Sequence, residues 1–328
     1  MSAFGLPDIL NARRALKGII RETPFERSEV LGRKTGGKVY LKAECLQRTG
    51  SFKLRGAYYK MASLTQAERA RGIVTASAGN HAQGVGFAAR EFGISCQVYV
   101  PETIPEVKLA AIERYPVEVV IQGKGYDEAH EAALGKARAS GRTFIQAFDD
   151  PVVMSGHGTL GLEMLWEVPE LDTVLIPVGG GGLISGVATA LKALNPRIKV
   201  IGCQSEASCA MARSLEEGRP FLTFSSKKTI AEGLEGGIGE LSFELGRRLI
   251  DRIVLVKENE IAEAVRFLLE HHRLVVEGSG AVGVAALLSG RWPAQGRNLG
   301  ILLSGGNLDY GLLKDIVCES REKSGAPV

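Results

Sequence analysis

The side chain best placed for chemistry in this sequence is a lysine, Lys53, within the stretch Ser-Phe-Lys-Leu-Arg-Gly-Ala of residues 51–57. The stretch follows a strand-like run over residues 38–43 and opens a helix-like run that reaches Leu64. A single lysine is most often a solvated surface charge. At a buried junction beside Phe52, however, desolvation lowers the pKa of a lysine amine and makes it a candidate nucleophile or base.

A first loop that could serve such a lysine is Ser77-Ala78-Gly79-Asn80-His81, which lies between a strand-like run and a helix-like run. Small residues at the N-terminus of a helix expose backbone N–H groups where partial positive charge gathers. Such a turn can receive a carboxylate or a phosphate. An N-capping turn that uses Ser77 or Asn80 explains the same residues equally well.

The second loop contains four consecutive glycines followed by a leucine: Gly179, Gly180, Gly181, Gly182 and Leu183. Four glycines cost backbone entropy when they are ordered, so a purely structural loop would rarely keep them all. Without β-carbons, an anion can contact successive backbone N–H groups, with the dipole of the next helix behind them. The pattern predicts a phosphate site. No Gly-Lys-Ser/Thr follows, so the loop is not a nucleotide P-loop.

The third loop, Leu-Ser-Gly-Gly-Asn at residues 303–307, again follows an apolar strand-like run. Its Ser304 could offer a neutral hydroxyl to a heterocyclic nitrogen, although a serine-capped turn is the simpler interpretation of the loop alone. Glu277 could be a buried acid near a site or a cap of the following helix. Two matches to Gly-x-Gly-x-x-Gly, at residues 156–161 and 278–283, lack the strand or the acidic residue of a dinucleotide site and are interpreted as close packing at the start of a helix.

Composition describes an ordinary soluble protein rather than a nucleic-acid or membrane protein. The 328 residues carry a net charge of +3 with acidic and basic residues interspersed, which favours neither nucleic acid nor an anionic membrane. The five cysteines are widely spaced and form no CxxC pair, and the five histidines show no metal-binding spacing. We therefore expect reduced thiols, no metal site, no nucleic-acid or membrane partner, and a cytoplasmic location.

The elements that must position these loops alternate between strand and helix along most of the chain. Strand-like runs are predicted at residues 38–43, 72–76, 96–100, 117–121, 143–147, 173–178, 199–204, 253–256 and 299–303. Such alternation predicts an α/β fold with mainly parallel sheets covered on both faces. Ligands in such folds bind at the carboxyl ends of the strands, where all three loops are predicted to lie.

Taken in order, the lysine stretch, Ser-Ala-Gly-Asn-His, the four glycines and Leu-Ser-Gly-Gly-Asn resemble the pyridoxal-phosphate enzymes of the tryptophan-synthase-β-like fold, fold type II. The resemblance is to the serine/threonine dehydratase and serine racemase family and covers residues 20–310. It implies two doubly wound lobes: a large cofactor-binding domain of residues 1–65 and 151–328, and a small mobile substrate-binding domain of residues 66–150. It also implies a homodimer or a higher homo-oligomer.

The resemblance assigns a role to each motif. Lys53 would form the Schiff base with pyridoxal 5′-phosphate and then move the α-proton of the substrate. The glycines would hold the phosphate, Asn80 would contact the phenolic oxygen, and Ser304 would face the pyridine nitrogen. The implied cofactor-binding residues are Lys53, Phe52, Asn80, Gly179, Gly180, Gly181, Gly182, Leu183, Glu277 and Ser304, and the implied substrate-binding residues are Ser77, Ala78, Gly79, Asn80 and His81.

The implied activity is that of a dehydratase (ammonia-lyase), which converts L-threonine, L-serine or a related β-hydroxy amino acid to a 2-oxo acid and ammonia by α,β-elimination. Alternatives within the family are a serine racemase and a 3-hydroxyaspartate dehydratase. From a different class, a nucleotide-binding protein that uses the glycines is kept as an alternative. A catalytically silent relative fits poorly, because every expected contact residue is in place.

Four departures from the family pattern bear on this choice. Ala78 stands where racemases have a second serine, which disfavours racemisation. Glu206 matches an acid of the racemase cation site, but Ala212 replaces the second acid, which disfavours a metal there. His157 replaces glutamine in the usual Gly-Gln-Gly-Thr, with no predicted effect. Only about 18 residues follow Tyr310, so no feedback inhibition through a regulatory domain is expected.

Overall fold

The computed structural model describes residues 4–294 and 297–324 and contains two sheets flanked by helices. Its strands are β1 (Phe25–Arg27), β2 (Lys38–Ala43), β3 (Ile73–Ala76), β4 (Cys96–Val100), β5 (Glu118–Ile121), β6 (Thr143–Phe144), β7 (Thr173–Pro177), β8 (Lys199–Ser205), β9 (Arg252–Val256) and β10 (Asn298–Leu303). Its helices are α1 (Leu6–Leu16), α2 (Glu29–Thr35), α3 (Lys53–Ala62), α4 (Gln66–Arg71), α5 (Asn80–Phe92), α6 (Glu106–Glu113), α7 (Tyr126–Ser140), α8 (Pro151–Glu167), α9 (Gly182–Leu194), α10 (Ala210–Glu217), α11 (Glu240–Leu249), α12 (Glu258–Phe267), α13 (Gly278–Leu288) and α14 (Tyr310–Ser324).

The larger sheet has the strand order β1-β2-β10-β7-β8-β9 and is parallel except for the β1–β2 pair. The smaller sheet, β5-β4-β3-β6, is entirely parallel. Leu303 pairs with Ala43, so β10 and β2 end at the same edge of the larger sheet. The α/β fold with parallel-dominated sheets in two lobes is confirmed. All four strands of the smaller sheet lie within residues 66–150, while the predicted domain boundaries and mobility stay predictions.

Two strands differ from the prediction. The edge strand β1 was not predicted, because three residues of the sequence Phe-Glu-Arg are too few to show a two-residue period. The run predicted at 143–147 is a strand only as far as Phe144. Beyond it, the carbonyl oxygen of Ala147 accepts a hydrogen bond from Nζ of Lys53 instead of joining the sheet.

Helix α8 is the buried centre of the larger lobe and packs closely against α3 and α9 through glycines. A β-carbon on Gly156 would lie 2.7 Å from Cα of Gly56, and one on Gly158 would lie 2.9 Å from the carbonyl oxygen of Gly186. The first glycine match was predicted to lie at the start of a helix, but it lies in the middle of α8. The second opens α13. Both serve close backbone packing.

A buried ionic network, which the sequence analysis missed, fixes the first turn of α3. The guanidinium of Arg55 donates two hydrogen bonds to Glu44 (2.8 and 2.9 Å) and two to Glu163 (2.6 and 2.9 Å). Arg55 and Glu44 are completely buried, and Lys42 adds an ion pair to Glu163 at 3.0 Å. The network ties α3 to the end of β2 and to α8. Within the described residues, no helix is long and apolar enough to cross a bilayer.

Candidate active site

Lys53 lies where the carboxyl ends of β2 and β10 meet the first turn of α3. The backbone N–H of Phe52 donates to the carbonyl oxygen of Ser304 at 3.1 Å, and Ser51 forms a bridge with Gly305. The amine of Lys53 lies 2.8 Å from the carbonyl oxygen of Ala147 and 5.4 Å from the centre of the Phe52 ring. The structure thus brings Lys53, Phe52 and Ser304 together, although the serine lies 251 positions after the lysine in the sequence.

Burial lowers the pKa of Lys53 from 10.5 to about 8, and the negative charge of Glu277 offsets part of that shift. At neutral pH roughly a tenth of the amine is therefore unprotonated, far more than for an exposed lysine. A larger share of Lys53 therefore carries the free lone pair that a covalent or proton-transfer role requires.

Glu277 and Asn80 form a pair at the edge of the same site. Nδ2 of Asn80 donates to Oε1 of Glu277 at 2.8 Å, and Nδ2 of Asn307 donates to Oδ1 of Asn80 at 2.7 Å. Burial raises the pKa of Glu277 to about 7. A β-carbon on Gly305 would lie 2.5 Å from the carboxylate, so a larger residue there would displace the pair. Asn307 belongs to the Leu-Ser-Gly-Gly-Asn motif but was not predicted as a site residue. Its hydrogen bond to Asn80 joins two residues that lie 227 positions apart in the sequence.

The turn of residues 77–81 leads into α5, with Gly79 at the N-cap. Its first backbone N–H groups lack partners within the helix and can bind an anion, and Oγ of Ser77 accepts from the N–H of Gly79 at 3.2 Å. The side chain of His81, in contrast, is buried, and its Nε2 lies 3.2 Å from the carbonyl oxygen of Ile145. Of His81, only the backbone is available to a ligand. Ala78 is half-buried in the same turn.

The glycine loop, residues 179–182, ends at the N-terminus of α9, where Gly181 has a φ of +97°. β-Carbons on Gly180 and Gly182 would approach the Phe148 side chain and backbone to 2.6 and 2.5 Å. Only glycine fits there, which leaves the backbone as the surface of the loop. Leu183 is buried in the apolar core beneath it. The donor set, backbone N–H groups at the start of a 13-residue helix, fits a phosphate monoester.

Phe148 and Asp149, which precede α8, cover this loop and were not predicted as site residues. The Asp149 carboxylate accepts hydrogen bonds from the backbone N–H of Ser242 at 2.9 Å and from its hydroxyl at 3.0 Å. This caps α11, whose preceding Gly239 donates to the carbonyl oxygen of Gly180 at 3.2 Å. The contacts hold the glycine loop between α8 and α11.

Glu206, the candidate cation ligand, is ion-paired in the structure. Its carboxylate lies 3.2 Å from the guanidinium of Arg291, which also contacts Glu260 at 2.8 Å. Among the described residues, no cluster of three or more histidine, cysteine or acidic side chains could hold a metal.

Comparison with known proteins agrees with this geometry. Residues 16–305 match the family described as pyridoxal-phosphate dependent enzyme. The chain is 46% identical to the L-threonine ammonia-lyase of Thermotoga maritima, over 98% of this chain and 80% of that protein. It is 41% identical to the catabolic L-threonine dehydratase TdcB of Escherichia coli K12, over 95% of each.

Two solved structures extend the likeness. Maize serine racemase superposes with a TM-score of 0.91 at 32% identity, over 99% of this chain and 100% of that one. The processed threonine deaminase isoform 2 of Solanum lycopersicum superposes with a TM-score of 0.89 at 37% identity, over 95% and 86%. These matches confirm the resemblance inferred from the motifs. The family that matches is not one of nucleotide-binding proteins. This chain belongs to the family of pyridoxal-phosphate-dependent enzymes.

Proposed function

We propose that this protein is an ammonia-lyase that converts L-threonine, L-serine or a related β-hydroxy amino acid to a 2-oxo acid and ammonia. The observation that carries the proposal is the buried Lys53, whose pKa is lowered to about 8 beside an anion-binding helix N-terminus. Relatives at 41–46% identity named L-threonine ammonia-lyase or dehydratase support the substrate class.

Pyridoxal phosphate, when bound, supplies the electron sink that stabilises negative charge at the α-carbon. Residues of this chain would position it: Lys53 as the covalent attachment point, the glycine loop and Leu183 around the phosphate, and Phe52 near the ring. Asn80, which is held in place by Glu277 and Asn307, would contact the phenolic oxygen. Ser304 would present a hydroxyl to the ring nitrogen.

The proton transfers follow from the same residues. The turn of residues 77–81 would hold the substrate carboxylate through its backbone, which places the α-proton near Lys53. The amine of Lys53, once free, takes the α-proton because its pKa lies close to the operating pH. The β-hydroxyl leaves as water by taking up one proton, equivalent to the one that Lys53 removes from the α-carbon, and the released enamine reacts with one water to give a 2-oxo acid and ammonia. Ser304 would offer the ring nitrogen a neutral hydroxyl and not the full negative charge of a carboxylate. The ring should then stay less protonated, which shortens the life of the carbanion and favours elimination.

The test is a 2-oxo acid assay across a panel of β-hydroxy amino acids that includes L-threonine, L-serine and 3-hydroxyaspartate, with and without magnesium. We expect turnover of L-threonine or L-serine with little dependence on magnesium, since Arg291 already pairs with Glu206. Turnover of 3-hydroxyaspartate alone would favour that alternative, and no 2-oxo acid from any substrate would contradict the proposal.

Racemisation is expected to be a minor reaction. The likeness to maize serine racemase makes racemisation the second candidate activity. However, Ala78 stands at the position in the turn where racemases have a second serine, which would act as an acid. Incubation with L-serine should yield pyruvate with little D-serine, measured by chiral chromatography. A D-serine yield comparable to that of pyruvate would reverse the ranking of the two activities.

The pH dependence of cofactor loading tests the basicity of Lys53. Covalent capture of pyridoxal phosphate requires the unprotonated amine, so its rate should rise with pH and level off above about 8, the lowered pKa of Lys53. Adducts reduced with borohydride and counted by mass spectrometry measure this rate. A rate that still rises beyond pH 10 would show a lysine of ordinary pKa, and a Lys53→Ala variant provides the zero-capture control.

We further propose that residues 66–150 form a mobile substrate domain and that residues 1–65 with 151–328 form the cofactor domain. Lys108 of α6 reaches Glu232 across the two lobes at 2.5 Å, with both side chains partly exposed. A partly exposed ion pair contributes little to stability, so it can break with little loss of free energy when the two lobes open and close. We also propose a homo-oligomer, a dimer in the simplest case, located in the cytoplasm.

A further inference from the structure

The crossing between the two lobes, residues 145–149, supplies a hydrogen-bond acceptor to the amine of Lys53. It leaves the smaller sheet after Phe144 and runs to Asp150, the N-cap of α8. In its middle, the carbonyl oxygen of Ala147 accepts a hydrogen bond from Nζ of Lys53 at 2.8 Å. The position of the reactive nitrogen therefore depends on what holds this carbonyl in place.

The first end of the crossing is held by two buried side chains from β3 and α5. The carbonyl oxygen of Ile145 accepts hydrogen bonds from Oγ1 of Thr75 at 2.9 Å and from Nε2 of His81 at 3.2 Å. Burial, and then the charge of Lys53, lowers the pKa of His81 to about 3, so its ring is neutral. Since a carbonyl only accepts, Nε2 carries the single ring proton. Both bonds fix a carbonyl that lies two residues before Ala147.

The other end of the crossing is held by the larger lobe. A β-carbon on Gly180 would lie 2.6 Å from the ring of Phe148, so this ring lies directly on the glycine loop. The Asp149 carboxylate accepts a hydrogen bond from the backbone N–H of Ser242 at 2.9 Å. The crossing is thus anchored at both ends, with Ala147 between the anchors.

The hydroxyl of Thr75 is the anchor whose role can be isolated by a substitution. It stands in β3, Ile-Val-Thr-Ala, where all four residues are buried. Valine has the same shape as threonine and is equally suited to a strand. What threonine adds at this position is the hydrogen bond to Ile145, which acts on the crossing.

We propose that the Ala147 carbonyl holds the Lys53 amine whenever this amine is not covalently engaged, and that Thr75 and His81 are positioning residues that fix the carbonyl. The hydrogen bond keeps the nitrogen in a defined place and favours its protonated form. The proposal rests on the proposed function only in the identity of the group that Lys53 captures, which is the cofactor.

Glu277, His81 and His157 face the amine from the start of α13, from α5 and from α8. Burial lowers the pKa of Lys53, and the charge of Glu277 offsets part of that shift. Burial also lowers the pKa of both histidines, to about 3 for His81 and well below 6.5 for His157, so both are neutral above pH 7. These three groups are the same in a Thr75 variant, which therefore reports on the Ala147 contact.

The pH dependence of cofactor capture tests the role of Thr75. In Thr75→Val protein freed of cofactor, the amine loses part of its hydrogen bond. The midpoint of the capture rate should therefore fall below the wild-type value of about 8 by about half a unit or more. The plateau rate at high pH should fall about threefold to tenfold, because the amine is less well oriented. Thr75→Ser keeps the hydroxyl and should restore both values.

Thr35→Val is the matched control, because the Thr35 hydroxyl donates to the carbonyl oxygen of Leu31 at 2.7 Å on α2. This helix precedes β2, whereas Lys53 follows it, so the midpoint and the plateau should stay at their wild-type values. Thermal unfolding of each variant measures stability separately. A Thr75→Val protein that unfolds at a lower temperature but keeps the wild-type midpoint would show a merely structural role and overturn the proposal.

A direct measurement follows the Ala147 carbonyl in the wild-type chain. Alanine labelled with ¹³C at the carbonyl and phenylalanine labelled with ¹⁵N give one NMR correlation for each Ala-Phe pair. The sequence has two such pairs, at residues 3–4 and 147–148, and an Ala3→Gly variant identifies the first. Without cofactor, the Ala147 signal should shift with pH with a midpoint of about 8, and this step should vanish in Lys53→Ala.

An Ala147 signal that does not respond to the titration of Lys53 would overturn the proposal, whether or not Thr75→Val folds. Capture of pyridoxal phosphate by Lys53, followed by borohydride reduction, should also shift the signal, because the amine then leaves its acceptor. None of these readouts requires the formation of a 2-oxo acid, so this proposal and the proposed function fail separately.

Discussion

Replacement of Lys53 by alanine should abolish 2-oxo acid formation, with a loss of at least about 10⁴-fold in kcat, because one side chain supplies both the covalent attachment and the base. The structure gives this lysine a buried position, a lowered pKa of about 8 and a place at the meeting point of two strand ends. Pyruvate and 2-oxobutyrate, measured with a coupled dehydrogenase, report the loss. Borohydride reduction should also yield no lysine adduct.

Lys60 provides the matched control, since it lies on the same helix and pairs with Asp150 at 2.6 Å, outside the proposed site. Lys60→Ala should keep turnover within severalfold of wild type. A Lys53→Ala protein that retains appreciable turnover would remove this lysine from the role proposed for it, whatever the fate of the remaining assignments.

Arg55→Met should be the most destabilising single change in the vicinity of the site. The substitution keeps the length of the side chain but leaves Glu44 and Glu163 buried without their shared counter-ion. Removing one partner of a buried ion pair typically costs about 3–5 kcal/mol, a large part of the 5–15 kcal/mol that stabilises most domains. Denaturant titration of the cofactor-free protein measures the change.

Arg213→Met removes an arginine from an exposed ion pair, because Arg213 pairs with Glu216 on the surface of α10. This control should leave the denaturation midpoint unchanged. Equal midpoints for the Arg55 variant and wild type would show that the buried network does not stabilise the fold.

The same network predicts how stability depends on acid. Burial would raise the pKa of Glu163, but the charges and hydrogen bonds of Arg55, and then of Lys42, outweigh it and lower the pKa from 4.5 to about 2. The contribution of Glu163 to stability is therefore complete above pH 4.5 and is lost as the pH falls towards 2. In Arg55→Met, the midpoint should vary less with pH across this window.

Much of the fold and the outline of the site could be predicted from the sequence alone. Each strand of a parallel sheet is buried on both faces, so its apolar run is visible locally, and glycine or proline marks most junctions. The loops 77–81, the glycine loop and 303–307 follow such runs directly. The glycine loop and 303–307 follow strands of the larger sheet, whereas 77–81 follows β3 of the smaller sheet. The sequence placed each loop at the carboxyl end of a strand, and the family resemblance implied that the three loops share a site with Lys53.

Other features depended on the tertiary path and had no local signal. From the sequence alone, Arg55 would be expected on the surface. In the structure it is buried against Glu163, which lies 108 positions later in the chain. His81 seems available in its motif, but α5 turns its side chain towards Ile145 and leaves only its backbone to a ligand. Phe148 covers the glycine loop because the chain crosses between lobes at that point.

The sequence by itself therefore determined the type of element at most positions, the family, and the set of backbone loops that could bind a cofactor. Only the tertiary structure decided which side chains share that site and how far burial lowers the pKa of Lys53. The physical reason is one of range. Periodicity and turn chemistry act between neighbours in the chain, whereas desolvation and ion pairing depend on residues that only folding brings together.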